Sequence, residues 1–190
     1  MTEKSLCTHP DDQYLISHFK NEESKHYAFN LLVKKYQQKI YWHIRKMVVD
    51  HNDADDLTQE VFVKVWKNLS NFREDAALFT WLYRIATNES LNFLKKKRRR
   101  FMLPINDVAK ELSKKIDNDP LIEGSEIERK LQKVLLTLPD RQRLVFNMKY
   151  FEDLPYKEIA KILEVTEGSL KASYHIAVKK IQQLLGDDLL

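Results

Sequence analysis

Apolar residues in this chain recur every three or four positions and nowhere settle into alternation, which commits the chain to helices. The pattern is clearest at Leu57, Val61, Val65 and Leu69, spaced by four. With Phe62 and Trp66 they make one broad apolar stripe. Helix breakers are scarce: three glycines (Gly124, Gly168, Gly186) and five prolines in 190 residues. The expected fold is all-α, with two helical domains joined by a linker.

Periodicity predicts two helices between Asp12 and Met47 with a break near 21–24, then a polar turn over 49–53. A third helix is expected over 54–69, a loop over 70–75 and a long helix over 78–99. Residues 101–125 hold Pro104, Pro120 and Gly124, with mixed charge and weak periodicity. They read as a linker, dividing the chain into domains over 1–100 and 127–190 with 101–126 between. Further helices are expected over 126–137, 140–150, 155–163 and 167–185, with Pro139 in the first turn of the second.

Charge is spread unevenly. Residues 1–100 carry 18 Lys and Arg against 13 Asp and Glu, residues 101–126 carry 3 against 6, and residues 127–190 carry 11 against 9. Two basic blocks flanking an acidic segment suit two DNA-contacting modules, because phosphate neutralisation needs local positive charge. Solvated surface produces the same balance. No apolar run approaches the roughly 20 residues that span a bilayer, and the N-terminal stretch lacks a signal-peptide pattern. Cys7 is the sole cysteine, so no internal disulfide forms and a reducing, cytoplasmic setting is expected. The six histidines make no ligand-spaced cluster, and no phosphate loop or nucleophile elbow is present. No metal, cofactor or catalytic residue is expected.

Three constellations carry function. On the helix over 54–69, Asp56, Gln59, Glu60 and Val63 fall opposite the apolar stripe. An acidic-amide face with one apolar spot repels phosphate and suits protein docking; a solvated face is the plainer alternative. Next, Asn71, Phe72 and Arg73 precede a helix on which Trp81, Arg84, Asn88, Asn92 and Lys95 share a stripe, closing in six basic residues, Lys95–Arg100. Aromatics and arginine stack unpaired bases and asparagine bonds them in pairs, a chemistry for melting or single-stranded DNA. Trp81 and Tyr83 suit the core better than a stacking platform, since a three-helix unit must bury something large, and a basic run also suits a helix C-terminus. Third, the helices over 155–163 and 167–185 are separated only by Glu164, Val165 and Thr166, which spells a helix-turn-helix. Its inward face is expected at Ile159, Ala160, Leu163 and Leu170, and Thr166 is a suitable N-cap. The reading surface would be Ser169, Lys171, Ala172, His175 and Lys179, able to meet phosphate or base edges. Tyr174 and Ile176 suit packing against neighbouring helices at least as well as DNA contact. Glu164 stands where such turns usually hold glycine.

The order of these segments is what resembles a known family. DADDLTQEVFVKVWKNL (Asp53–Leu69), Asn71–Arg73, TWLYRIATN (Thr80–Asn88) and the basic tail are similar to region 2 of sigma-70 family RNA polymerase sigma factors. LPDRQRLVF (Leu138–Phe146), LPYKEIAKIL (Leu154–Leu163) and EGSLKASYH (Glu167–His175) resemble region 4. With no room for region 3 or an N-terminal autoinhibitory region, the resemblance is to the extracytoplasmic-function group. It implies that Asp56, Gln59, Glu60 and Val63 dock on the clamp helices of the polymerase largest subunit. It implies that the loop from Asn71 to Thr80, with Asn88, reads a flipped base of the promoter −10 element. The helix beginning near Gly168 would read the −35 element, and region 4 would touch the flap of the second-largest subunit. An anti-sigma factor is a further expected partner. The recognition helix lacks the arginines often found there in the family.

A stand-alone helix-turn-helix regulator is the rival reading. It accounts for residues 127–190 but leaves the Asp56, Gln59, Glu60 face and the WLYRIATN segment without a role.

Overall fold

The computed structural model describes residues 10–101, 112, 113, 116 and 126–186. Most of the acidic linker, with Pro104, Pro120 and Gly124, lies outside the described residues, as does Cys7. Regular structure within them is helical throughout: α1 (Asp12–Phe19), α2 (Lys25–Val48), α3 (His51–Asn68), a 3₁₀ turn (Leu69–Asn71), α4 (Leu78–Phe101), α5 (Glu126–Leu135), α6 (Asp140–Tyr150), α7 (Tyr156–Leu163) and α8 (Glu167–Leu185). The all-α expectation holds.

Capping decides where the elements begin. The Asp50 carboxylate accepts a hydrogen bond from the Asp53 amide at 2.9 Å, so α3 starts at His51, three residues before the expected position. The supposed polar turn is the first turn of the helix. Thr166 caps α8 by accepting from the Ser169 amide at 3.3 Å. Pro139 sits one position outside α6, as its N-cap residue, rather than in its first turn.

The first four helices pack on one another around Leu15, Phe19, Leu32, Ile40, Ile44, Val61 and Leu82, all at most 1% exposed. Burying a side chain of this size stabilises by about 1.5–3 kcal/mol, so this stripe-on-stripe packing carries the bundle. Of the last four, α5, α6 and α8 pack around Leu135, Leu138, Phe146, Ala177 and Ile181, while α7 buries Ile159 and Ile162 in the cluster of the first four.

The two groups also meet each other. Leu144, Val145, Met148, Ile159, Ile162 and Leu170 belong to the same continuous apolar cluster as α1–α4. That contact changes the inward face of α7. Ile159 and Ile162 are the buried positions, while Ala160 and Leu163 are half-buried. Ile162 was not on the expected face; it lies where α7 faces both α4 and α8, lining a groove with Leu91 of α4 and Leu170 of α8.

A smaller cluster joins Val49, Leu112, Ile116 and Leu136. Leu112 and Ile116, four apart and 2% and 1% exposed, therefore tie the linker to both groups. Val49 takes φ 69°, unusual for a β-branched residue, where the chain turns from α2 into the Asp50 cap.

Candidate nucleic-acid interface

The stripe on α3 fixes its outer face. Ala54, Leu57, Val61, Phe62 and Val65 are buried against α2 and α4, so Asp56, Gln59, Glu60 and Val63 all point to solvent. Val63 is 52% exposed, an apolar spot held among carboxylates and an amide. Trp66 turns away from this face into a ring cluster with Phe19 and Phe29, at 5.2 and 4.9 Å between centroids.

Six of the residues expected to read the first DNA element, Asn71, Phe72, Arg73, Trp81, Arg84 and Asn88, line one groove of about 520 Å³. Asn71, Arg73 and Asn88 are exposed there and Trp81 is half-buried. Phe72 differs: it is 6% exposed and its ring lies 5.1 Å from that of Trp81. It offers no free face and works as the floor under Trp81. Lys95 is exposed about two turns beyond Asn88 on the same helix. Tyr83, 4% exposed, is core. Lys64 and Asn68 of α3 also line the groove, and Lys64 pairs with Glu89 across it at 2.6 Å. No pattern along the sequence joins these two, because the groove forms only when α3 and α4 pack.

In the basic tail, Lys97 pairs with Asp53 at 3.0 Å and Arg98 with Asp140 at 2.6 Å, while Lys95, Lys96 and Arg99 face solvent. Part of the run is therefore structural.

The helix-turn-helix is made by α7 and α8. Glu164 ends α7 in the left-handed conformation, φ 55° and ψ 46°, the position usually given to glycine. Ser169, Lys171, Ala172, His175 and Lys179 are all exposed on α8. Of the two residues suited to either packing or DNA contact, Tyr174 packs, stacked 5.7 Å from Phe146, and Ile176 is 51% exposed.

Between the groups runs a second groove, about 360 Å³, lined by Arg84, Asn88 and Leu91 of α4 and by Arg141, Ser169 and Ser173. Each group also caps a helix of the other. Arg143 donates to the Met47 carbonyl at 2.8 Å and Asn147 to the Lys46 carbonyl at 3.3 Å, satisfying orphan groups at the end of α2. In return Arg84 donates to the Lys161 carbonyl at 2.8 Å, at the end of α7, and meets the Glu164 carboxylate at 2.9 Å.

Glu152 is nearly buried beside His43 at 3.1 Å and Lys46 at 3.9 Å, and His43 bonds Thr87 at 2.9 Å. Burial pushes the Glu152 carboxyl up, but His43, Lys46 and Tyr83 outweigh it and hold it below its ordinary value. Burial, with Glu152 adding to it, raises the Tyr83 phenol far above its ordinary value. Burial lowers the Arg143 guanidinium, opposed by Asp140 and reinforced by Arg98. No sequence pattern joins His43 to Glu152, since 109 positions separate them.

Among the described residues no group of His, Cys, Asp and Glu is arranged to hold a metal, and no helix is long and apolar enough to cross a membrane.

Comparison with known proteins agrees with the order of these surfaces. The Sigma-70 region 2 family model matches residues 32–100 and the Sigma-70, region 4 model matches residues 128–181. The chain is 33% identical to the RNA polymerase sigma-H factor of Pseudomonas aeruginosa, over 95% of this chain and 96% of that one. It is 33% identical to the ECF RNA polymerase sigma-E factor of Escherichia coli K12, over 85% and 87%. Against the ECF sigma factor SigW of Bacillus subtilis it is 30% identical, over 84% and 90%. Its fold is similar to CnrH in complex with the cytosolic domain of CnrY, with TM-score 0.68, 21% identity and 93% and 98% of the two chains covered. It is likewise similar to RpoE in complex with the anti-sigma factor NepR from Bartonella quintana, with TM-score 0.65, 22% identity and 84% and 98% covered. With its exposed acidic face, its aromatic and basic groove and its helix-turn-helix in this order, the chain belongs to the sigma-70 family of RNA polymerase sigma factors, in the extracytoplasmic-function group.

Proposed function

We propose that the chain binds the RNA polymerase core and directs it to promoters by reading a −10 and a −35 element, with no catalytic step of its own. Core docking uses Asp56, Gln59, Glu60 and Val63 on the clamp helices of the largest subunit, and the second helical group adds a contact to the flap of the second-largest. The −10 element is read and opened by Asn71, Arg73, Trp81, Arg84 and Asn88, with Phe72 beneath them and Lys95 on the flanking phosphates. The −35 element is met by Ser169, Lys171, Ala172, His175 and Lys179. An anti-sigma factor is the expected regulator, as in the complexes named above.

The observation that carries this reading is the convergence of Asn71, Arg73, Trp81, Arg84 and Asn88 on one groove, about two turns from the exposed Lys95. Stacking surface, amides and arginine in one place fit an unpaired base better than a duplex edge. A stand-alone regulator would have no use for this groove beside its helix-turn-helix.

Gel filtration with core polymerase tests the reading. Co-elution of chain and core, with weak binding of the free chain to duplex DNA, is expected. Tight operator binding by the free chain, on the order of nanomolar at physiological salt, without co-elution, supports the regulator.

A further inference from the structure

The first helix, α1, lies ahead of residue 32, where the match to the Sigma-70 region 2 model begins, and carries none of the residues proposed to meet polymerase or DNA. It is nevertheless firmly seated. Leu15, Ile16 and Phe19 are buried in the core of the first group, and the Phe19 ring meets Trp66 edge-on. The Tyr36 hydroxyl of α2 donates to the Asp12 carboxylate at 2.7 Å. Lys35 donates to that carboxylate and to the Pro10 carbonyl, each at 2.8 Å. The far end of α1 is fixed too, because the Lys20 amide closes the helix by donating to the Ile16 carbonyl at 3.2 Å.

This helix packs against the 3₁₀ turn that ends in Asn71 and reaches the loop that follows. There the Lys20 ammonium meets the Glu74 carboxylate at 2.8 Å. Lys20 and, after it, Gln13 of α1 hold that carboxyl below its ordinary value. Glu74 stands at φ 61°, a conformation that a side chain with a Cβ resists. Its neighbours Arg73 and Asp75 line the −10 groove with Asn71.

Phe72 and Leu78 are buried at either end of this loop. Among the described residues no other side-chain hydrogen bond or ion pair reaches residues 73–77. An exposed pair adds little to stability. An unfavourable backbone angle, however, persists where its surroundings fix it, and here the fixing groups come from α1.

We propose that α1 is a positioning element for −10 reading: Lys20 holds Glu74, and Glu74 sets the turn that presents Asn71 and Arg73 to the unpaired base. The inference rests on the promoter-reading function proposed above. Neither Lys20 nor Glu74 itself meets the base; both act through the loop.

The test measures transcription by holoenzyme on promoters varied at each −10 and −35 position. Lys20→Ala and Glu74→Gln should each lower discrimination at one −10 position about 2–5-fold, the range of an exposed ion pair. Core affinity, −35 preference and circular dichroism should stay unchanged. Lys20→Arg should keep wild-type selectivity. Lys34→Ala, which removes the same charge from an exposed position on α2, should change nothing. A direct phosphate contact by Lys20 gives a different pattern: Lys20→Ala weakens all promoters evenly and Glu74→Gln strengthens them. That outcome overturns the proposal, as does equal behaviour of Lys20→Ala and Lys34→Ala. Loop placement is read separately from a nitroxide on Ala77→Cys, an exposed position, in a Cys7→Ser background. Its mobility should rise with Lys20→Ala, and unchanged mobility overturns the tether. If mobility rises but the wild-type chain gives core no −10 preference, the tether stands and the promoter reading falls.

Discussion

The rings of Phe72 and Trp81 lie 5.1 Å apart at 42°, pinning the loop before α4 to the helix that carries the reading residues. Because Phe72 is 6% exposed, this pair couples fold stability to groove shape. Phe72→Ala should cost about 3 kcal/mol in urea unfolding. Phe72→Leu, which keeps most of the volume, should cost far less and retain −10 preference. Equal stability of the alanine variant would mean that Phe72 is not the floor of the groove.

Gln59 and Glu60 point away from the buried stripe of α3, so changing both to lysine should leave circular dichroism and the unfolding midpoint unchanged. Affinity for core polymerase should be lost. Wild-type affinity in this folded variant would remove α3 from the docking surface.

The two DNA surfaces should separate by mutation. Asn88→Ala should relax discrimination at one −10 position and impair strand opening, with −35 preference unchanged. Lys171→Ala should weaken −35 binding by about 1–3 kcal/mol if it reads a base, or evenly across sequences if it meets phosphate. Permanganate footprinting of holoenzyme on promoters varied at each element reads both. A change in −35 preference from Asn88→Ala would contradict the assignment.

Much of this was legible in the sequence, and the parts that were not have a common cause. The helix period located α1 to α8, and the face of α3 followed from Leu57, Val61 and Val65 being four apart. The N-cap at Thr166 was readable because its partner Ser169 is three residues away. Asp50 was overlooked because Val49 to Asp53 is polar in the manner of a turn. What no local pattern shows is the meeting of the two groups. Ile162, Arg143, Asn147 and Glu152 acquire their roles only when α6 and α7 dock on α2 and α4. Leu112 and Ile116, too sparse to register as periodic, are buried for the same reason.

The pH dependence of the contact follows from Glu152. Its carboxyl is held below the ordinary 4.5 by His43, Lys46 and Tyr83 despite the opposing effect of burial. The unfolded chain therefore takes up a proton before the folded one. The stabilisation is complete above about pH 4.5 and is lost as pH falls through the lower folded-state value. Urea unfolding recorded from neutral pH downward should show the stabilities of wild type and Glu152→Gln converging below that point. A difference that stays constant with pH would show that this carboxylate does not hold the contact.

The measurement that tests the central claim most directly is transcription by purified core polymerase on a library of randomised promoters, with and without the chain. Transcripts that depend on the chain, start at defined positions and enrich one −10 and one −35 element are the predicted result. Transcription unchanged by the chain, or enrichment of a single duplex operator that it binds without core, would contradict it.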